Sequence, residues 1–304
     1  MKISLSELDV IFISYDEPNA DENWQDLLTK CPWAKRSHGV FGSDAAHKAA
    51  AKLSETSRFI GIDADNKIDP AIFDLEFDES VINGNQVFSF KGKNVVNGLV
   101  YGNGGIKVWP VKTVMEMRTH EVSETKRGEI EFCWDLDYLQ MDKIFSTVYN
   151  NGTPLQAFRA GFREGCKMSL DEGNLIPKEN FKSKIYPLNF KRLKTWMSIG
   201  SDAKNGDWCI YGTLLGFYKT NMSDWDYKNV RDFRHLVKIF EDEVKPRFKT
   251  EKIGASFCDI LDYKWDNEKL LSEIRKLGKE IQDEYNFTIP YFNKKDSAFI
   301  KELL

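Results

Sequence analysis

Asp63-Ala64-Asp65 directly follows the strand-like run Arg58-Phe59-Ile60-Gly61-Ile62. Two carboxylates at i and i+2, where a buried strand ends, repel each other unless a cation lies between them. A divalent metal carrying a diphosphate meets that need. Hard oxygen ligands suit magnesium or manganese, and such a metal can bridge to phosphate oxygens. The triplet by itself is weak evidence, because the chain has three Asp-x-Asp, at 63/65, 135/137 and 224/226. Only the first closes a clean apolar strand.

The elements before it alternate. Leu8 to Ser14 reads as a buried strand that ends in the polar loop Tyr15 to Asp21. A helix follows, with Trp24, Leu27 and Leu28 on one face and Pro32 closing it. Val40-Phe41 is a short strand. Gly42-Ser43-Asp44 then offers a cap for a helix whose face is Ala45, Ala46, Ala49, Ala50 and Leu53. The order strand, helix, strand, helix, strand predicts an α/β fold with a parallel sheet. Ligands of such sheets bind beyond the carboxyl ends of the strands. The Tyr15 loop and the Asp63 loop both lie at that edge.

Farther on, Gln86 to Phe90 and Ile106 to Trp109 read as strands. Between them lie four glycines in eight residues, Gly98 to Gly105. They permit either a hairpin turn or close approach of backbone to a ligand. No Gly-Lys-Ser/Thr follows, so this is not a phosphate loop. A helix through Leu139 and Ile144 is expected. The C-terminal third reads as helical. Val230, Phe233, Val237, Phe240 and Val244 make one stripe that stops at Pro246, and Leu270, Ile274, Leu277 and Ile281 make another.

Net charge is −4 over 304 residues, so the chain as a whole is no polycation. Its charge is uneven. Ile3 to Thr29 holds seven acids and no base, whereas Lys178 to Lys194 holds six bases and one acid. The basic stretch also carries Phe181, Tyr186 and Phe190, with Trp196 just beyond. It reads either as a nucleic-acid contact, with Lys191, Arg192 and Lys194 on phosphates, or as a solvated segment anchored by its rings. Arg159 and Arg163 could clamp phosphate or simply face water. The five cysteines, at 31, 133, 166, 209 and 258, have no ligand or redox spacing, and the four histidines, at 38, 47, 120 and 235, make no metal pair. A reducing cytoplasm is expected, and no apolar run approaches the roughly 20 residues of a membrane span.

Phe59 to Asn66, the preceding Asp44 to Ala51 and the opening Ile13 to Trp24 together resemble GT-A type glycosyltransferases, specifically the glycosyltransferase-like proteins of large tailed phages. Tyr101 to Pro110 is similar to their second-half loop. The resemblance covers about residues 8–220. It implies a nucleotide-binding α/β sheet with helices on both faces, forming a catalytic domain over 1–220, and a helical C-terminal extension over 221–304. It implies transfer of a sugar from a nucleotide sugar, with a uridine diphosphate sugar favoured, using Mn2+ or Mg2+. Asp65 would bind the metal, and Asp63 would lie near both ribose and metal. Tyr15, Asp16, Glu17 and Asp44 would contact the nucleoside, and Gly104 and Gly105 would let backbone approach the sugar. A base near the acceptor hydroxyl would come from Asp135, or next from Asp137. Several similar phage enzymes decorate 5-hydroxymethylcytosine in their own DNA with arabinose or glucose, which makes DNA the favoured acceptor. A saccharide or protein acceptor is the enzymatic alternative, and a non-catalytic nucleic-acid-binding module the alternative of another class.

Overall fold

The computed structural model describes residues 2–78, 80, 82–102, 104–250 and 264–303. It is a mixed α/β protein that divides into two compact units, residues 1–152 and 153–303. Packing thus divides the chain at 152/153, and residue 220 lies inside the second unit.

In the first unit the strands are β1 (Lys2–Ser4), β2 (Asp9–Ser14), β3 (Lys35–His38), β4 (Arg58–Asp63), β5 (Asn66–Ile68), β6 (Glu76–Asp78), β7 (Val87–Asn94), β8 (Val100–Tyr101), β9 (Lys107–Pro110) and β10 (Tyr138–Val148). The helices are α1 (Ala20–Lys30), α2 (Ser43–Leu53), α3 (Val111–Glu116) and α4 (Lys126–Glu131). The main sheet runs β3-β2-β4-β9-β7-β10-β5, with β8 paired to β7. β3, β2 and β4 are parallel. β9 is antiparallel to both β4 and β7, β10 is parallel to β7, and β5 is antiparallel to β10. The expected strand–helix alternation is present, but its second strand is Lys35–His38 rather than Val40-Phe41. A polar strand is tolerated there because β3 is the sheet edge, paired only with β2 and open along its other side. Residues 138–148 form a strand, not the helix expected through Leu139 and Ile144. β10 carries register irregularities between Met141 and Ile144 and between Ile144 and Ser146, and these obscure its alternation.

Alternation along the strands sorts side chains to two faces. Val10, Phe12, Ile60, Ile62, Phe88 and Phe90 pack with Leu27 of α1 and with Ile72 and Phe73. Ile11, Phe59, Val87 and Trp109 pack with Ala50 and Ala51 of α2, Val114 of α3 and Phe132. The small alanines let α2 lie close on the sheet. Asp63, two residues beyond Gly61 and four beyond Phe59, falls on the same face as α2.

The second unit contains α5 (Pro154–Lys167), α6 (Phe181–Lys184), α7 (Pro187–Trp196), α8 (Gly206–Asn221), α9 (Phe233–Ile239), α10 (Lys245–Phe248), the short pair β11 (Lys249–Thr250) and β12 (Lys264–Trp265), α11 (Asn267–Tyr285) and α12 (Lys294–Leu303). Pro246 does not end the stripe that begins at Val230. The helix runs on through a π-helical turn at Phe240–Val244 to Phe248, and the proline follows that turn, where the regular i to i−4 ladder is already interrupted. Phe181, Phe217, Tyr285 and Phe287 make a ring cluster, with Phe181 centroids 5.5 Å from Phe217 and 5.0 Å from Tyr285. α5 and α8 meet backbone to backbone. A Cβ added at Gly161 would lie 2.0 Å from the Cys209 carbonyl oxygen, and one at Gly165 2.2 Å from that of Thr213. Reciprocally, Gly212 and Gly216 would strike the carbonyls of Phe158 and Phe162, each at 2.2 Å. Two Gly-x-x-x-Gly sequences thus fit into each other.

Gly161→Ala should therefore force the helices apart. Overpacking of this kind costs about 1–3 kcal/mol or more, which outweighs the roughly 1 kcal/mol of helix propensity that alanine gains. Urea denaturation should show a lower midpoint for Gly161→Ala and for Gly216→Ala. An unchanged midpoint in both would contradict the close contact.

Candidate functional site

β4 ends at Asp63, and β5 begins at Asn66, yet the two strands pair with different partners, β2 and β9 for β4 and β10 for β5. The turn between them is pinned along its backbone. Asn23 Nδ2 donates to the Ala64 carbonyl at 2.8 Å, and the Tyr149 N–H donates to the Asp65 carbonyl at 2.6 Å. Ala64 itself is buried. Asn66 Nδ2 donates to Asp65 Oδ1 at 2.9 Å and to the Asp63 carbonyl at 3.3 Å. The buried Asn66 Oδ1 has no hydrogen-bond partner. The two carboxylates therefore project from a fixed turn, with a further hard oxygen beside Asp65.

Behind the turn lies a buried cation. Lys107 pairs with Gly61 across the β4–β9 ladder, and its ammonium donates to the Gly105 carbonyl at 3.4 Å. Burial opposes its charge, but Asp63 foremost, then Cys133, Glu131 and Asp65, reverse that effect, and its pKa is raised. Glu131, at the end of α4, is also buried. His47 of α2 packs edge-on against Trp109 and Phe132, with centroids 5.6 Å from each, and its Nδ1 lies 2.8 Å from the Ser43 carbonyl. Burial lowers its pKa, while Asp63 pulls the other way. Burial pushes the Cys31, Cys133 and Cys166 thiols up to about 12, which makes them poor nucleophiles.

The loop after β2 carries the other expected contacts. The Tyr15 N–H donates to Glu17 Oε2 at 2.8 Å, so Glu17 shapes the loop. Tyr15 and Phe41 follow the carboxyl ends of β2 and β3, and their rings meet edge-on at 5.9 Å. Both are exposed, Tyr15 by 43% and Phe41 by 56%, so the ring pair is open to a flat ligand. Asp16 is exposed beside them. Below the pair, Ser14 Oγ lies 2.9 Å from His38 Nδ1 and accepts from Arg36 Nε at 2.9 Å.

Asp44 is drawn inward instead. It accepts from Lys48 at 2.7 Å and from the Thr119 N–H at 3.2 Å. The start of α2 is already met by Glu121, which accepts the Ser43 N–H. Gly104 and Gly105 do lie toward the turn. A Cβ at Gly105 would strike the Phe90 carbonyl at 2.2 Å, and Gly104 faces Val148, the ladder partner of Asn66. Gly104 has φ +77, a conformation that favours glycine. Asn103 lies outside the described residues, as does Cys258.

The proposed bases are placed elsewhere. Asp137 accepts from Asn83 Nδ2 and Gln86 Nε2, both at 3.1 Å. Arg58, the first residue of β4, donates to the carbonyls of Asn83, Gly84 and Gln86. Asp137 is therefore at the amino end of β4, about 16 Å of strand from Asp63 at ~3.3 Å per residue. Asp135 is exposed and accepts from Thr125, the cap of α4. Neither residue begins a helix, because a strand follows them. The acid of this segment that lies beside Lys107 is Glu131. Nothing but an odd lysine in the apolar run Ile106 to Trp109 hinted at Lys107 in the sequence.

In the second unit, Lys191 is exposed, while Arg192 and Lys194 are partly buried on α7. Lys194 Nζ lies 4.9 Å from the Phe190 ring centroid. Phe181 and Trp196 are buried, and Tyr186 is 59% exposed. Most rings of the basic segment therefore anchor it. Arg159 lies 5.1 Å from the ring centroid of Phe233, and Arg163 6.0 Å.

No protein-family model matches this chain, and no curated protein matches it in sequence.

The buried charges yield two expectations. Lys107→Met removes the buried cation that Asp63 and Glu131 favour without touching it directly, and should cost about 1–3 kcal/mol of stability, the range for stripping a buried polar group of its partner. Chemical denaturation near pH 7.5 reads it, and a loss below 1 kcal/mol would mean Lys107 is solvated. The second concerns acid. A histidine with a lowered native pKa contributes stability that is full above its ordinary value of 6.5 and is lost as pH falls below it, since the unfolded chain then binds the extra proton. Unfolding free energy should drop between pH 7.5 and 5.5, with a shallower slope in His47→Gln. Identical slopes would show that His47 is not desolvated.

Proposed function

We propose that the first unit is the donor half of a nucleotide-sugar-dependent glycosyltransferase of GT-A type. The observation that carries this reading is the pinned Asp63-Ala64-Asp65 turn at the carboxyl end of a parallel strand. It lies on the same sheet edge as the exposed Tyr15–Phe41 ring pair. A carboxylate pair beside an open aromatic platform suits a nucleoside diphosphate with its metal. The passage from a parallel sheet, β3-β2-β4, to a mixed one beyond Asp65 also supports it.

The residues fit a metal. Asp63, Asp65 and the unbonded Asn66 oxygen are hard oxygen donors, and no group of three acidic, histidine or cysteine ligands occurs among the described residues. Few protein ligands and several from phosphate and water is the pattern of magnesium and manganese at diphosphates. When bound, Mn2+ or Mg2+ would neutralise the charge that develops on the departing diphosphate. Asp65 would hold it, with Asp63 beside it and Lys107 the buried cation nearby. Tyr15 and Phe41 would take the base, preferably uracil, and Asp16 and Glu17 would accept from base or ribose. Gly104 and Gly105 keep side chains away from the sugar.

For the acceptor we favour 5-hydroxymethylcytosine in DNA, on the resemblance to phage proteins. The exposed Lys182, Lys184 and Lys191 support a phosphate-tracking surface, although with little ring stacking. A saccharide or protein acceptor is the second enzymatic reading.

Asp65→Asn should reduce manganese-dependent sugar transfer by about 10²–10³-fold, the usual cost of removing a group that stabilises developing charge. Asp137→Asn, remote from Asp63, should stay within about twofold. Mass spectrometry of DNA nucleosides after incubation with candidate sugar nucleotides measures both. Uridine diphosphate with manganese should also raise the melting temperature by mass action. No shift with any nucleoside diphosphate, and no dependence on Asp65, would refute the transferase reading.

A further inference from the structure

The second unit holds a cavity of about 140 Å³ between the α7–α8 region and α11. Its apolar wall includes Ile210, Leu214 and Ile274. A cavity of roughly 150 Å³ with such walls is large enough for a benzene ring. Four features suggest that it is built for a ligand rather than left by imperfect packing.

The first is Gly278, which lines it from within α11, a helix of 19 residues. Glycine is among the costliest residues in a helix interior. Gly161, Gly165, Gly212 and Gly216 each have a carbonyl that a Cβ would strike, but a Cβ at Gly278 would meet nothing within 4 Å. The missing side chain therefore serves no helix contact, and the space it leaves is the cavity.

The second is Ser198. It is only 4% exposed, lines the same cavity, and its Oγ has no hydrogen-bond partner. A buried hydroxyl without a partner is unfavourable unless something else supplies one. The third is Arg275, one turn before Gly278 and also in the lining. Its guanidinium lies 4.5 Å from the Tyr291 ring centroid, and it makes no ion pair with a carboxylate among the described residues. The fourth is that Lys279, the other cation in the lining, pairs with Asp283 at 2.9 Å on the exposed side of α11. Arg275 is thus the cation left to face an incoming anion.

We infer that this cavity binds a small organic carboxylate with a compact apolar body, the body against Ile210, Leu214 and Ile274 and the carboxylate on Arg275 and the Ser198 hydroxyl. Arginine binds carboxylates through two parallel N–H donors, which gives both strength and orientation. This site is separate from the Asp63 turn and does not depend on the transferase reading.

Benzoate is the probe, titrated into the full chain and followed by protein-observed NMR, with benzamide as the neutral isostere. Wild type should bind benzoate saturably below about 10 mM, and benzamide at least about fivefold more weakly, because it lacks the charge that Arg275 recognises. Arg275→Gln should weaken benzoate by a similar factor while leaving benzamide unchanged. Gly278→Leu should fill the space, keep the helical circular dichroism and abolish binding of both. Failure of wild type to bind benzoate at that concentration would overturn the inference. So would undiminished benzoate binding by folded Gly278→Leu. Equal affinity for benzoate and benzamide would overturn the anion specificity.

Discussion

Two residues, Ala64 and Asp65, connect β4 to β5, and much of the first unit follows from how short that link is. β4 is the third strand from one edge of the main sheet, and β5 is the other edge. A two-residue connection spans only ~7–10 Å, whereas four steps of about 4.8 Å separate these strands along the sheet. The sheet must therefore curl until its far edge approaches the carboxyl end of β4. The same closure explains why Tyr149, just past β10, reaches the Asp65 carbonyl. It also explains why glycines are needed where Gly92, Gly105 and Val148 converge. The carboxylates are thus part of the sheet's closure, rather than ornaments on a loose loop.

Holding acids at such a place requires compensation. Lys107 supplies it from the neighbouring antiparallel strand, and it does so from the α2 face of the sheet. A lysine buried without acids would lose its proton, and acids buried without a lysine would gain one. With the acids near it, Lys107 keeps its charge. For His47, in the same surroundings, burial against Trp109 and Phe132 outweighs the pull of Asp63, and its pKa is lowered. One small region therefore contains a stable cation and a suppressed one.

The sequence made the parallel core legible because β2, β4 and the alanine face of α2 combine simple periodicity with burial. It misplaced β3 because an edge strand made of Lys35, Arg36, Ser37 and His38 has no apolar signal. It mistook β10 because two irregularities break the alternation, and because Leu139 and Ile144 are exposed rather than buried. The Asp63 turn could be read from its strand. Its partners could not, since Lys107 and Glu131 are distant in the chain and each looks ordinary alone. Asp135 and Asp137 follow from the resemblance alone, and position along the chain does not tell one end of a strand from the other. Residues 153–222 are largely helical, and the glycine pairs at 161/165 and 212/216 are the sequence sign of how α5 and α8 pack.

Those glycines have a consequence for how the gene can change. Where side chains interlock, a substitution on one helix can be answered by a complementary one on the other, and lineages drift through such paired exchanges. α5 and α8 touch through carbonyl oxygens and bare α-carbons. No second mutation can shrink a carbonyl. These four codons should consequently be frozen while their neighbours vary, and distant descendants of this sequence should be recognisable in the second unit by two Gly-x-x-x-Gly sequences about fifty residues apart.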